Sequence, residues 1–252
     1  MRPADRLRSD LVAVMVGPGG AIGSADRLCR ACVELLDVDS AAISIVDHGV
    51  TRGTFGSSGE SSQMLDELQF TLGEGPLLHA VRQGLPVLVP DLTDPSERRW
   101  PAFSGAIIEM GVRAMFVFPF GISGSSNGAL TLVRKSVGSL NELAVRGAKW
   151  AADLAFVPLR ELVTHIEDGE FPIFGGGNSP HLGSLERVEV YQATGMVMAQ
   201  LDVDPIEALA RIRAHAFAQN LTASQVAWSI IERLLIFDDN TGDGVAISRP
   251  LA

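Results

Sequence analysis

Leu185 to Phe237, LERVEVYQATGMVMAQLDVDPIEALARIRAHAFAQNLTASQVAWSIIERLLIF, reads as three short helices with two marked joints. Asp204-Pro205-Ile206-Glu207 places an acceptor at a helix N-cap, proline at the first helical position and glutamate three residues on. That spelling satisfies the orphan amides of a helix start from both directions. Thr222-Ala223-Ser224-Gln225 repeats the device, with Asn220 upstream as the stop of the preceding helix. The expected apolar stripes are Val190, Ala193, Val197 and Leu201 on the first helix, and Ile206, Leu209, Ile212 and Ala216 on the second. Val226, Ala227, Ile230, Ile231, Leu234 and Leu235 form the stripe of the third. Three such stripes close on one small core. Gly195, inside the first helix, costs about 1 kcal/mol against alanine, which predicts a close backbone neighbour there.

Within this stretch, Ala193-x-Gly195-x-x-Met198, Glu207-Ala208, Ile212-Arg213-x-x-Ala216 and Val226-Ala227 resemble the ANTAR domain, a three-helix module of bacterial antiterminators. The resemblance implies a partner, RNA stem-loops in nascent leader transcripts, bound by a homodimer so that an intrinsic terminator does not form. Many members carry a basic residue before the glycine, and here Thr194 stands in that place. The residues expected to meet RNA are Thr194, Arg211, Arg213, His215, Asn220, Trp228 and Arg233. Arg211 and His215 are four apart and share a helix face, and Trp228 offers a flat ring for stacking. On residues alone a solvated helix face is the competing reading, and the resemblance favours RNA at Arg213 above all.

The chain has 252 residues, 46% of them hydrophobic, which is enough for two ordinary domains. No run approaches the roughly 20 apolar residues of a membrane span, and MRPADRLRSD lacks a signal region. No membrane partner and a cytoplasmic location are expected. The formal charge of −10 argues against indiscriminate gripping of nucleic acid. Selectivity for a folded loop, with weak general affinity, is the form RNA binding would take.

The rest of the chain precedes this segment. Ala4 to Val16 is a short amphipathic helix ended by Gly17-Pro18-Gly19-Gly20, within a lead-in of residues 1–23. A helix through Leu36 leads to strands over Ala41–Val46 and Thr51–Phe55. Phe70–Leu78 runs into helix up to Gln83, then PVLVPDL gives a short strand and Trp100–Met110 a helix. Strands over Arg113–Phe120 and Gly128–Lys135 flank a loop, Gly121–Asn127, and Leu140–Ile166 is a long helix bent or broken at Pro158.

This order, with Leu72-Gly73-Glu74-Gly75-Pro76, Val89-Pro90-Asp91-Leu92 and Gly128-Ala129-Leu130, resembles a GAF domain over roughly Ser24 to Thr164. The chain as a whole is similar to GAF and ANTAR regulators of actinobacterial type. The fold class is then α+β: an antiparallel GAF sheet flanked by helices over 24–166, a linker at 167–183, an all-α ANTAR domain over 184–237 and a disordered tail over 238–252. The linker carries five glycines and two prolines, with Phe171, Ile173 and Phe174 as apolar exceptions. A GAF pocket implies a small-molecule ligand of unknown identity, lined by Glu74, Leu77, Asp91 and Trp100. Glu74 and Asp91 are equally the residue types that loops and helix starts use locally. Many relatives have cysteine after Gly-Glu-Gly-Pro. Leu77 stands there, which excludes a thiol-linked chromophore or redox sensor at that site.

No cofactor can be named. His79 and His181 lack partners at ligand spacing, so no metal site is expected, and no nucleophile, base and orienter set points to catalysis. Cys29 and Cys32 read as core residues of an apolar helix, with a redox pair as the alternative. Two other functions are kept in view: a helix-turn-helix reading duplex DNA, and a GAF-type reductase using those cysteines.

Overall fold

The computed structural model describes residues 2–47, 50–122, 125–167, 187–238 and 244–246. The expected linker after Glu167 and most of the expected tail lie outside the described residues, as do Phe171, Ile173, Phe174 and His181. The chain divides into two units. The first is Met1–Gln69 with Glu74–Leu185, and the second is Phe70–Gly73 with Glu186–Ala252.

In the first unit, helices α1 (Pro3–Ala13) and α2 (Gly20–Leu35) lead into strands β1 (Ser40–Asp47) and β2 (Val50–Ser57). Then come α3 (Glu60–Leu72, its last turn counted with the second unit), α4 (Pro76–Gln83), β3 (Val87–Val89) and α5 (Pro101–Glu109). Strands β4 (Ala114–Ile122) and β5 (Ser125–Arg134) and helix α6 (Glu142–Glu167) complete it. The strands make one antiparallel sheet in the order β2-β1-β5-β4-β3.

Register decides which residues share a face. Ile43 lies opposite Leu130, which lies opposite Phe118, while Ala41, Leu132 and Phe116 form the parallel row. Both rows belong to a core with Leu7, Leu11, Leu28, Cys29, Cys32 and Leu36. Helix α6 meets them through Ala144, Ala148, Ala151, Ala152 and Ala155, a stripe at helical period whose small side chains admit close packing. At Gly56 an added Cβ would sit 2.6 Å from the Ala25 Cβ, so glycine is what lets α2 lie against β2. The other face of the sheet carries Ala42, Thr131 and Val117 in one row and Ser44, Ala129 and Pro119 in the next, with α4 packed on β4 and β5.

Buried Arg134 pins the end of β5 to the turn before β1. Its Nε donates to the Asp37 carbonyl at 2.6 Å, Nη2 to the Asp37 carboxylate at 2.7 Å and Nη1 to the Ser139 carbonyl at 3.2 Å. Three expectations change here. Helix α3 had no counterpart in the sequence reading, β5 begins inside the expected Gly121–Asn127 loop, and of the two outcomes expected at Pro158, a bend or a break, the break does not occur, α6 running through it as one helix. A proline removes one amide donor, and a helix of 26 residues retains enough others to continue.

The second unit is built on α7 (Val188–Leu201), α8 (Pro205–Ala218) and α9 (Ala223–Ile231), with strands β6 (Leu235–Phe237) and β7 (Gly244–Ala246). The Asp204 carboxylate accepts from Ile206 N and Glu207 N, both at 2.9 Å. Thr222 and Gln225 form a reciprocal capping box. The expected reciprocity at Asp204 is absent from the described bonds, because the Glu207 carboxylate instead accepts from Arg211 Nη2 at 2.9 Å.

The α7 stripe is buried as expected, but α8 buries Ala208, Ile212 and Ala216 and leaves Ile206 83% exposed. In the first turn, beside the cap, Ile206 points away from the 208-212-216 row. Among the described residues nothing lies within 4 Å of a Cβ added at Gly195, so the expected close approach is not made by any of them. The third helix stops at Ile231, since Arg233 turns left-handed at φ 59°. Beyond it Leu235 and Phe237 are buried and Ile236 exposed, the alternation of a strand, and β6 pairs with β7. Part of the segment expected to be a disordered tail is therefore strand, and Leu234 is exposed rather than core.

Candidate nucleic-acid interface

Helix α8 carries three of the expected RNA residues and separates them. Arg211 lies on the outer side in an ion pair with Glu207, an exposed i,i+4 contact worth about 0.3–0.5 kcal/mol. One turn on, the half-buried His215 ring sets its edge against Phe237, with centroids 5.7 Å apart. Arg213 turns inward. Its guanidinium carbon lies 4.7 Å from the centroid of the Phe70 ring, and its Nε has no hydrogen-bond partner among the described residues. Burial, followed by repulsion from Arg187, lowers the Arg213 pKa from its ordinary value.

Two expectations are corrected by this placement. Arg213 is packed on an aromatic ring and only partly exposed, and Thr194 is buried, its hydroxyl donating to the Val190 carbonyl at 2.7 Å. Threonine back-bonding within a helix explains the latter, because the hydroxyl is satisfied one turn away. Asn220 and Arg233 are exposed at the ends of α8 and α9, both left-handed, at φ 53° and 59°. Trp228 on α9 is 54% exposed. Arg211, His215, Asn220, Trp228 and Arg233 thus remain at the surface or near it.

Sequence reasoning missed Arg187. It sits at the N-cap of α7 in the left-handed region, is buried, and lies 4.0 Å from the Phe70 centroid. Nothing in LERVEV distinguishes it from a solvated arginine, because its partner ring is more than a hundred residues away in sequence.

The expected ligand residues of the first unit are occupied locally. Glu74 Oε1 accepts from the amides of Ala102 and Phe103 at 2.8 and 3.0 Å, capping α5 across 28 residues of chain. Asp91 Oδ1 accepts from Thr93 N and Oγ1, a local turn. Leu77 is wholly buried, and its amide donates to Gln69 Oε1 at 2.8 Å. That arrangement requires Gly75, at φ 145°, where an added Cβ would meet Gln69 Oε1 at 2.3 Å. Trp100 is buried, with His79 edge-on at 5.3 Å and the Arg99 guanidinium carbon 4.3 Å from its ring centroid. Two buried hydroxyls not singled out from sequence, Thr51 Oγ1 and Ser104 Oγ, have no hydrogen-bond partner among the described residues and so retain binding capacity.

A GAF domain model matches residues 24–155 and an ANTAR domain model residues 185–231. The chain belongs to the GAF domain family. Its C-terminal helices are an ANTAR domain. No curated protein matches the chain. Among solved structures, this GAF protein is similar to the GAF domain of an Acinetobacter phosphoenolpyruvate-protein phosphotransferase, with 13% identity, a TM-score of 0.53, and coverage of 68% of this chain and 99% of that one. The corresponding domain from Coxiella burnetii has 16% identity and a TM-score of 0.48, with coverage of 67% and 97%. At 13% identity the likeness to the Acinetobacter domain speaks for the fold alone. Among the described residues of this GAF and ANTAR protein, no helix is long and apolar enough to cross a membrane, and no His, Cys, Asp and Glu cluster has the makings of a metal site.

Proposed function

We propose that this GAF and ANTAR protein is a signal-responsive regulator that binds RNA stem-loops in nascent leader transcripts and acts by antitermination as a homodimer in the cytoplasm. The observation that carries the reading is the ANTAR match over 185–231, on three helices whose caps and stripes build one small core. Arg211, His215, Asn220, Trp228 and Arg233 supply donors and a stacking ring at its surface. Specific RNA recognition needs few such groups when loop bases are splayed out. The GAF domain takes a small-molecule ligand, and a ligand shifts the RNA module only by its differential affinity for two arrangements of the protein.

Both competing functions lose support. A helix-turn-helix needs a basic recognition helix, and α9, Ala223–Ile231, contains no basic residue. A thiol reductase needs a reachable thiolate, whereas Cys29 and Cys32 are wholly buried and burial pushes the Cys32 thiol up to about 12. The RNA reading is tested by electrophoretic mobility shift of a leader transcript holding two short stem-loops. Binding that is lost when the loop sequences are scrambled is the expected result. Equal affinity for the scrambled transcript, or none for either, overturns it.

A further inference from the structure

The second unit contains four residues that come from far earlier in the chain, Phe70–Gly73, and each helix of the unit holds them. Phe70, 2% exposed, lies under two guanidiniums, Arg187 at the start of α7 and Arg213 on α8, whose central carbons are 4.0 and 4.7 Å from its ring centroid. The amide of Ala223, first residue of α9, donates to Thr71 Oγ1 at 2.9 Å. Gly73 is left-handed at φ 67°, and Arg213 Nη1 lies 3.4 Å from where its Cβ would stand. The receptor side of this contact therefore offers two cations over a flat π-face and a helix N-terminal donor aimed at an oxygen.

Those groups match a nucleotide better than the peptide they hold. Arginine planes stack on bases, and helix N-terminal amides together with arginines recognise phosphate and ribose oxygens. A phosphate beside a base would add a charge-assisted contact to the stacking that the phenyl ring supplies. In a segment with four arginines and six carboxylates between Leu185 and Phe237, two of the four converge on this ring.

We propose that Arg187 and Arg213 form a nucleobase-stacking slot for RNA, and that Phe70–Gly73 is a built-in competitor whose ring fills the slot until the segment is released. The inference rests on the RNA-binding reading above and adds its regulation. It also accounts for the position of Arg213, turned inward although the ANTAR resemblance singles it out.

The test uses the full-length protein and the same two-hairpin transcript, with affinity read by fluorescence anisotropy. Phe70→Leu removes the ring and keeps an apolar side chain. It is expected to tighten binding by about tenfold or more, the order set by two partly desolvated cation–π contacts. Adding Arg213→Gln to that variant removes the gain. Should Phe70→Leu fail to fold, Thr71→Val, which deletes only the acceptor for Ala223 N, is expected to tighten binding in the same direction to a smaller extent. Wild-type binding with no gain in a folded variant overturns the competitor and leaves the RNA function standing. No binding by the wild type or any variant overturns both.

Discussion

Cys29 and Cys32 lie one helical turn apart with no exposure, and their behaviour follows from desolvation. Burial raises the Cys29 thiol well above its ordinary range and pushes Cys32 up to about 12. A folded-state pKa above the unfolded one means that the unfolded chain loses its thiol protons first as pH rises. The stability tied to these groups is therefore intact below about pH 9 and declines as pH climbs toward 12. Melting temperatures measured between pH 8 and pH 10.5 should fall more steeply for the wild type than for Cys32→Ala, and a thiol reagent at pH 8 should label the native protein far more slowly than the urea-unfolded chain. Rapid native labelling would show that the thiols are reachable. The apolar run around the pair made the core assignment legible in sequence. The inward turn of Thr194 was not legible, because a hydroxyl that bonds its own helix is spelled the same as one that faces solvent.

At the scale of elements, capping chemistry and periodicity were readable to different degrees. Asp204 and the Thr222–Gln225 box act within four residues of chain, so both helix starts were visible before any fold was known. Thr222→Ala should cost about 1 kcal/mol in chemical denaturation. Replacing the exposed Ile206 by alanine should change stability by less than about 0.5 kcal/mol, whereas the same change at the buried Ile212 should cost about 2–5 kcal/mol. A large loss at Ile206 would return it to the core stripe from which the structure removes it. The end of the third helix was missed because Leu234-Leu235-Ile236 continues a helical pattern as readily as it starts a strand. The left-handed turn at Arg233, a residue that does not announce such a turn, decides between them.

For the whole molecule, the net charge of −10 bounds how RNA is held. With four arginines between Leu185 and Phe237, each bound chain can neutralise only a few phosphates. The slope of log affinity against log salt should then be no steeper than about −4 per chain, at roughly −0.7 to −0.9 per phosphate. A slope near −8 would mean diffuse electrostatic gripping and would count against loop recognition. Both domains, most strands and helices and both capped joints were written in the chain itself, because caps, turns and hydrophobic periods act over a few neighbouring residues. Which polar groups are already engaged emerges only from folding. It placed Glu74 on the amides of α5, Arg134 on the turn at Asp37, and Arg187 with Arg213 on the ring of Phe70. Those pairings join residues 28 to more than 100 positions apart, and no local spelling specifies a hydrogen bond or a stacked cation whose partner the chain reaches only by folding.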